Sequence, residues 1–217
     1  MREKIPVSRV TGTTVSKLKN FGGLLPFALY WYFLRAIRQT FLRLYFRTIG
    51  KYGFRSLGRG VVIDGMPEFI WPCADITLGN YVRIGKRCVF QGSHQSKIHL
   101  GHQVTINDGC YLTSMFSITI GEGTSIGEYT SIRDYNHKFD DVSSPIKEQD
   151  YYGAQISIGK GCWIGRGCII LAGVTIGDGA VIGANSVVNK DVPPLTVAAG
   201  TPVKVIKMRE REQYAKN

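Results

Sequence analysis

Acidic residues are missing from most of the first quarter of this chain. Between Lys4 and Ile63 there is no Asp or Glu, and residues 1–63 hold twelve Lys or Arg against the single acid Glu3. The 217 residues carry 27 basic and 16 acidic side chains, a formal charge of +11, so residues 64–217 are balanced at fifteen of each. That split argues against a uniformly basic, nucleic-acid-binding body. Long apolar runs are missing too: the uncharged, mostly apolar stretch Phe21–Leu34 is 14 residues, where a membrane-spanning helix needs about 20. Arg35, Arg38 and Arg43 follow it and no small-residue cleavage site does, so it does not read as a signal peptide and is expected to be retained. Cysteine is scarce and odd in number, five residues without a C-x-x-C pair, which argues against a disulfide framework and against a zinc site.

The N-terminal segment does contain helix formers and aromatics. After Pro26, a good first-turn residue, neither Gly nor Pro occurs until Gly50, and the spacing predicts a helix over 26–49. Leu34, Ile37, Phe41 and Leu44 recur at intervals of three and four, with Arg35, Arg38, Gln39, Arg43 and Arg47 on the other face. A cationic amphipathic helix of this kind lies in a membrane interface, residues 21–49 providing the contact, or packs on the body or on a neighbouring subunit. The sequence leaves both open.

Residues 64–206 are expected to form the body, because from Leu78 onward the chain repeats every six residues. Leu78, Ile84 and Phe90 are six apart, as are Leu100, Ile106 and Leu112, then Ile120, Ile126 and Ile132, and then Ile158, Ile164, Ile170, Ile176, Ile182 and Val188. Gly follows many of these aliphatics, the mark of tight corners. Four residues after each comes a small or β-branched residue, among them Val82, Cys88, Cys110, Thr124, Thr130, Cys162, Cys168, Ala180 and Ser186. Two inward positions per six residues give a narrow, filled core. The register slips only after Phe90, Leu112 and Ile132, each time after a third repeat, so every insertion leaves from one corner of a triangular coil. The pattern predicts about five coils of parallel β-helix from Leu78 to about Val192; an α/β alternation or a two-sheet sandwich would not produce it. Four of the five cysteines occupy the small inward position as compact hydrophobes, a usage that suits a reducing cytoplasm. Residues 207–217 are expected to form a tail or short C-terminal helix.

The motifs Trp163-Ile164-Gly165, Leu171 to Pro194 (LAGVTIGDGAVIGANSVVNKDVPP) and Ala198 to Lys207 (AAGTPVKVIK) carry a resemblance to the hexapeptide-repeat acyltransferases, especially the sugar O-acetyltransferase branch. The resemblance implies a left-handed parallel β-helix, a homotrimer with active sites between adjacent subunits, and acetyl-CoA as cosubstrate without a metal. It further implies that Trp163, Arg166, Ala184, Asn189, Lys190, Lys204 and Lys207 line the coenzyme groove. Arg166 and Asn189 depart from the family's common Ser and Thr at these places.

Acetyl transfer to an alcohol requires a base near neutral pH. His137 lies in the long insertion 133–155, five residues beyond Ile132, where the resembled enzymes carry their catalytic His. Asn107, at a corner position often filled by Gly, matches the Asn that helps hold the acceptor hydroxyl, or is simply a corner residue. Asp134, three residues before His137, is a candidate to orient the imidazole. His94, His99 and His102 cluster around the shorter insertion; a metal reading of them is thin, and surface or interface roles are expected. The implied function is O-acetylation of a carbohydrate, a surface-polysaccharide or glycolipid precursor handled at the inner face of the cytoplasmic membrane. N-acetylation of an amino sugar and a non-catalytic trimeric scaffold are the alternatives.

Overall fold

The computed structural model describes residues 53–70 and 74–209, together with scattered positions between Tyr30 and Tyr45. The chain divides into two units between Phe41 and Leu42. In the N-terminal part every described residue from Tyr30 to Tyr45 is helical. Tyr30, Phe33, Leu34, Ile37, Phe41 and Leu44 are exposed there, while Tyr45 packs against the core of the second unit. The predicted helix ends at 26–29 and 46–49 lie outside the described residues.

The rest is built of three-stranded coils. The first has β1 (Ser56–Leu57), β2 (Val62–Ile63) and β3 (Glu68–Ile70); the second β4 (Asp75–Leu78), β5 (Arg83–Ile84) and β6 (Val89–Gly92). The third has β7 (Lys97–Leu100), β8 (Thr105–Ile106) and β9 (Tyr111–Ser114); the fourth β10 (Ser117–Ile120), β11 (Ser125–Ile126) and β12 (Ser131–Arg133). A hairpin of β13 (Tyr135–His137) and β14 (Tyr151–Gly153) then projects before the fifth coil, β15 (Ile156–Ile158), β16 (Trp163–Ile164) and β17 (Ile169–Ile170). The sixth coil has β18 (Thr175–Ile176), β19 (Val181–Ile182) and β20 (Val187–Val188), and β21 (Thr196–Ala199) and β22 (Lys204–Met208) follow. Each coil places one strand on each of three parallel sheets, the faces of a triangular prism. Every insertion leaves where the third face turns into the first, as the slips in the repeat predict.

Hydrophobic burial along a single register holds the prism together. Leu78, Leu100, Ile120, Ile158 and Ile176 stack on the first face; Ile84, Ile106, Ile126, Ile164 and Ile182 stack on the second, all essentially inaccessible to solvent. The small inward positions also supply internal polar bonds. The thiols of Cys88, Cys110, Cys162 and Cys168 donate to the carbonyls of Asn107, Gly127, Gly177 and Gly183 in the next coil, at 3.1–3.2 Å. Thr124 and Thr130 do the same toward Gly159 and Gly165, at 2.7 and 3.2 Å. A small side chain with one weak donor thus fills the corner and satisfies a turn carbonyl.

Two parts differ from expectation. There are six coils rather than five, because the β-helix starts at Ser56: Leu57, Ile63 and Phe69 keep the six-residue spacing and pair with Leu78, Ile84 and Phe90. The end of the prism is closed by aromatic contacts among Phe54, Phe69 and Phe90, with ring centroids 5.1–6.0 Å apart. At the other end Lys207 and Met208 belong not to a helix but to β22, which pairs antiparallel with β21 and covers the open edge of the second face. Residues beyond 209 lie outside the described residues.

Candidate active site

His137 ends β13 and faces Tyr151 directly across the hairpin. Its ring lies 4.4 Å, centroid to centroid, from Tyr151 at a tilt of 48°, and Tyr151 in turn meets Tyr135 edge-on at 5.3 Å. The Nδ1 atom is sealed from solvent and has no hydrogen-bond partner among the described residues. Gly153 is obligatory at the root of this hairpin, because a Cβ there would sit 2.1 Å from the Asp134 carbonyl oxygen. At the tip Asp141 accepts bonds from the backbone of Ser143 and the hydroxyls of Ser143 and Ser144, and the two serine hydroxyls hold its carboxyl below the usual carboxylate range.

The hydrogen bonds of Asp134 among the described residues do not go to the imidazole. Fully buried, Asp134 accepts a hydrogen bond from Ser114 Oγ at 2.6 Å and from the backbone N–H groups of Met115 and Phe116 at 2.7 and 3.1 Å. Its carboxylate closes the turn between β9 and β10. The expectation that it orients His137 is corrected by this geometry: aromatic packing on Tyr151 holds the ring, a contact that depends on strand register and has no signature in the sequence.

Asn107 lies at the corner between the second and third faces, stacked in a column with Gly85, Gly127, Gly165 and Gly183. Its backbone is not left-handed, so the corner does not require Asn for its conformation. Nδ2 donates to the Ile126 carbonyl at 2.9 Å, which leaves Oδ1 as an acceptor without a partner among the described residues.

The residues expected to line a coenzyme groove fall into two groups. Trp163, 60% exposed, lies on the second face in one lateral row with Val181, Val197 and Lys207. Three strand spacings separate Trp163 from Lys207, about 14 Å. Lys204 sits on the same edge strand. Arg166 and Ala184 occupy the adjacent corner, and neither backbone N–H has an acceptor among the described residues. Elsewhere that position is capped from the next coil, Asp108 accepting from Lys86 and Asp178 from Lys160; Ala184 has no side chain with which to cap Arg166. The second group, Asn189 and Lys190, follows β20 at the corner between the third and first faces, the corner that also carries the His137 hairpin.

Of the other histidines, His99 Nδ1 is 2.8 Å from Thr77 Oγ1 and His102 Nδ1 accepts from the Asn80 backbone at 2.9 Å. Both tie neighbouring coils together. Among the described residues no three His, Cys, Asp or Glu side chains converge as a metal site.

A three-faced parallel β-helix with a projecting hairpin defines a class of fold, and comparison with known proteins places the chain within it. A family profile described as bacterial transferase hexapeptide (six repeats) matches residues 155–190. The chain is 31% identical over 187 residues to an Escherichia coli K12 protein named for lipopolysaccharide-biosynthesis O-acetyl transfer, WbbJ, covering 83% of this chain and 90% of the relative. It is 32% identical over 180 residues to the Mycobacterium tuberculosis protein named as acetyltransferase Rv3034c, covering 83% of this chain but 58% of that protein's length. The structure matches a mutant of AntD, an N-acyltransferase from Bacillus cereus solved with dTDP-4-amino-4,6-dideoxyglucose and coenzyme A, with a TM-score of 0.65 and 26% identity over 76% of this chain and 89% of that one. The chain belongs to the hexapeptide-repeat acyltransferases, and its prism is the left-handed parallel β-helix of that family.

Proposed function

We propose that the protein transfers an acetyl group from acetyl-CoA to a hydroxyl of a carbohydrate, with His137 as general base. The carrying observation is the His137 hairpin: a half-buried ring packed on Tyr151, with Nδ1 sealed from solvent. As the acceptor oxygen attacks the thioester carbonyl, its proton passes to His137 Nε2. Collapse of the tetrahedral intermediate expels the CoA thiolate, which recovers that proton, so no acyl-enzyme forms. The uncapped Arg166 N–H is suited to the oxyanion, and the free Oδ1 of Asn107 to the acceptor hydroxyl. Trp163 flanks the pantetheine arm, the Ala184 N–H bonds it, and Lys190, Lys204 and Lys207 meet phosphates, with Asn189 beside them. Asp134 enters only as the support of the turn beneath the hairpin.

His137 leaves from one corner of the prism, whereas Trp163, Arg166, Lys204 and Lys207 line the face and corner on the other side. A homotrimer, in which the hairpin of one copy meets the second face of the next, supplies both halves. This arrangement has a direct test. His137→Ala is expected to lower acetyl transfer about a thousandfold, and a Lys204→Ala/Lys207→Ala variant to lose it through coenzyme binding. Co-expressed in equal amounts they should regain about a quarter of wild-type activity, since one site in four then draws both halves from intact copies. An active His137→Ala protein sinks the base; absence of recovery puts the whole site within one copy.

A second reading, acylation of an amino sugar, is favoured by the likeness to AntD. Thiol release from acetyl-CoA with matched hydroxyl and amino sugars separates the two. We further propose peripheral attachment to an anionic membrane surface through the N-terminal helix, at the cytoplasmic face, supported by the exposed aromatic and aliphatic side chains between Tyr30 and Leu44.

A further inference from the structure

The corner between the second and third faces carries three exposed cations, Lys86, Arg87 and Arg166, and two of them converge on a single tyrosine. Arg87 Nη2 donates to Tyr129 Oη at 3.3 Å, reaching across an intervening coil whose residue in that column is Gly109. The Tyr129 ring lies back over Gly109, where a Cβ would come within 2.6 Å of it. Arg166, from the coil above, places its guanidinium 5.9 Å from the ring centroid. The tyrosine is nevertheless 54% exposed.

Among the described residues neither arginine has a carboxylate partner. Asp64 takes Arg83, with Oδ2 at 2.6 Å from Nη2; Asp108 turns its Oδ1 onto the Lys86 backbone N–H at 2.8 Å; Glu128 makes no ion pair with either arginine. The backbone at Arg87 and Tyr129 is left-handed, with φ of 55° and 59°, at column positions that Gly109 and Gly167 fill without a Cβ penalty. Two guanidiniums thus meet at one open aromatic ring, Arg166 one column and Arg87 and Tyr129 two columns away from Asn107.

We propose that Arg87, Tyr129 and Arg166 bind the diphosphate of an activated acceptor, a sugar joined through diphosphate to a nucleoside or a lipid. Guanidinium forks match phosphate oxygens in pairs, and the tyrosine hydroxyl adds a donor between them. A sugar attached to a diphosphate seated there lies within the same corner as Asn107. Arg166 serves twice, its backbone N–H toward the thioester and its side chain toward the acceptor. The proposal rests on the reading that a sugar hydroxyl is the acceptor.

The test is a calorimetric titration of the full chain with inorganic pyrophosphate in saturating CoA, so that the coenzyme's own phosphate sites are filled. Binding is expected in the wild type and weakened about tenfold by Arg87→Gln, with CoA affinity unchanged. Equal binding by the two proteins, or none, overturns the proposal. In further arms a dTDP-hexose and a short polyprenyl-diphosphate hexose replace pyrophosphate, with a methyl hexoside as the neutral reference. Tighter binding of one diphosphate sugar, lost in Arg87→Gln, identifies the source; equal affinity for the methyl hexoside and both diphosphate sugars overturns the site. The titration reads binding without turnover, so its failure is distinct from an absence of thiol release, which would instead sink the acetyl-transfer reading.

Discussion

At the scale of single residues, the same short loop contains one acid and one base that sequence spacing joins and folding separates. Asp134 and His137 are three residues apart, but Asp134 lies at the bend between β12 and β13, before the hairpin strand begins, and its carboxylate turns inward, onto Ser114 and two backbone N–H groups. Three hydrogen bonds to a buried carboxylate make it a structural member. Asp134→Ala leaves a hydroxyl and two N–H donors unpaired and is expected to lower unfolding free energy by about 3 kcal/mol, measured by urea unfolding. An Asp134→Ala protein as stable as wild type but with a shifted pH profile for acetyl transfer would restore the orienting role. The position of His137 was legible because the insertion begins at a fixed offset from Ile132. Its partner Tyr151 was not, because cross-strand register inside an insertion is set by the turn at its tip.

At the scale of elements, the inward ladder was almost wholly readable, since a residue that must fill the same narrow prism every sixth position leaves a period in the sequence. The first coil escaped because Asp64 and Pro67 stand where Gly and a small residue mark later coils, although Leu57, Ile63 and Phe69 keep the spacing. The last strand escaped because an edge strand packed on one side needs no period. The cysteines on the ladder make a further prediction. Burial first of all pushes the Cys110 thiol up to about 12, and burial likewise raises Cys88, Cys162 and Cys168. Below the ordinary value near 9.0 the thiols are protonated in folded and unfolded chains alike, so they add no pH dependence. Between about 9 and 12 the unfolded chain releases a proton that the folded chain retains, and stability falls as pH rises. The urea midpoint is expected to drop from pH 8 to pH 10 more steeply in wild type than in Cys110→Val; parallel slopes would remove the cysteine from the explanation.

At the scale of the whole molecule, the charge imbalance belongs to an even shorter segment than the sequence suggests. Arg55 pairs with Asp75, and Arg59 lies over the Tyr81 ring at 5.4 Å, so both are part of the β-helix. The remaining excess, ten bases against one acid, lies in residues 1–54. Among the described residues no helix is long and apolar enough to cross a membrane; the attachment proposed for the cationic, aromatic helix is adsorption at the surface. Each Lys or Arg near an anionic surface contributes about 1 kcal/mol, screened by salt, and insertion of the apolar side chains adds a part that salt does not remove. Deleting residues 1–41 stops at the boundary between the two units and keeps Tyr45, which packs on the core, so the β-helix is expected to stay folded. Co-sedimentation with phosphatidylglycerol vesicles should then fall to background, while the full chain sediments strongly at low salt and only partly at 1 M salt. Full-length protein that ignores these vesicles, or a truncated protein that sediments equally well, would assign the helix to packing between protein surfaces instead.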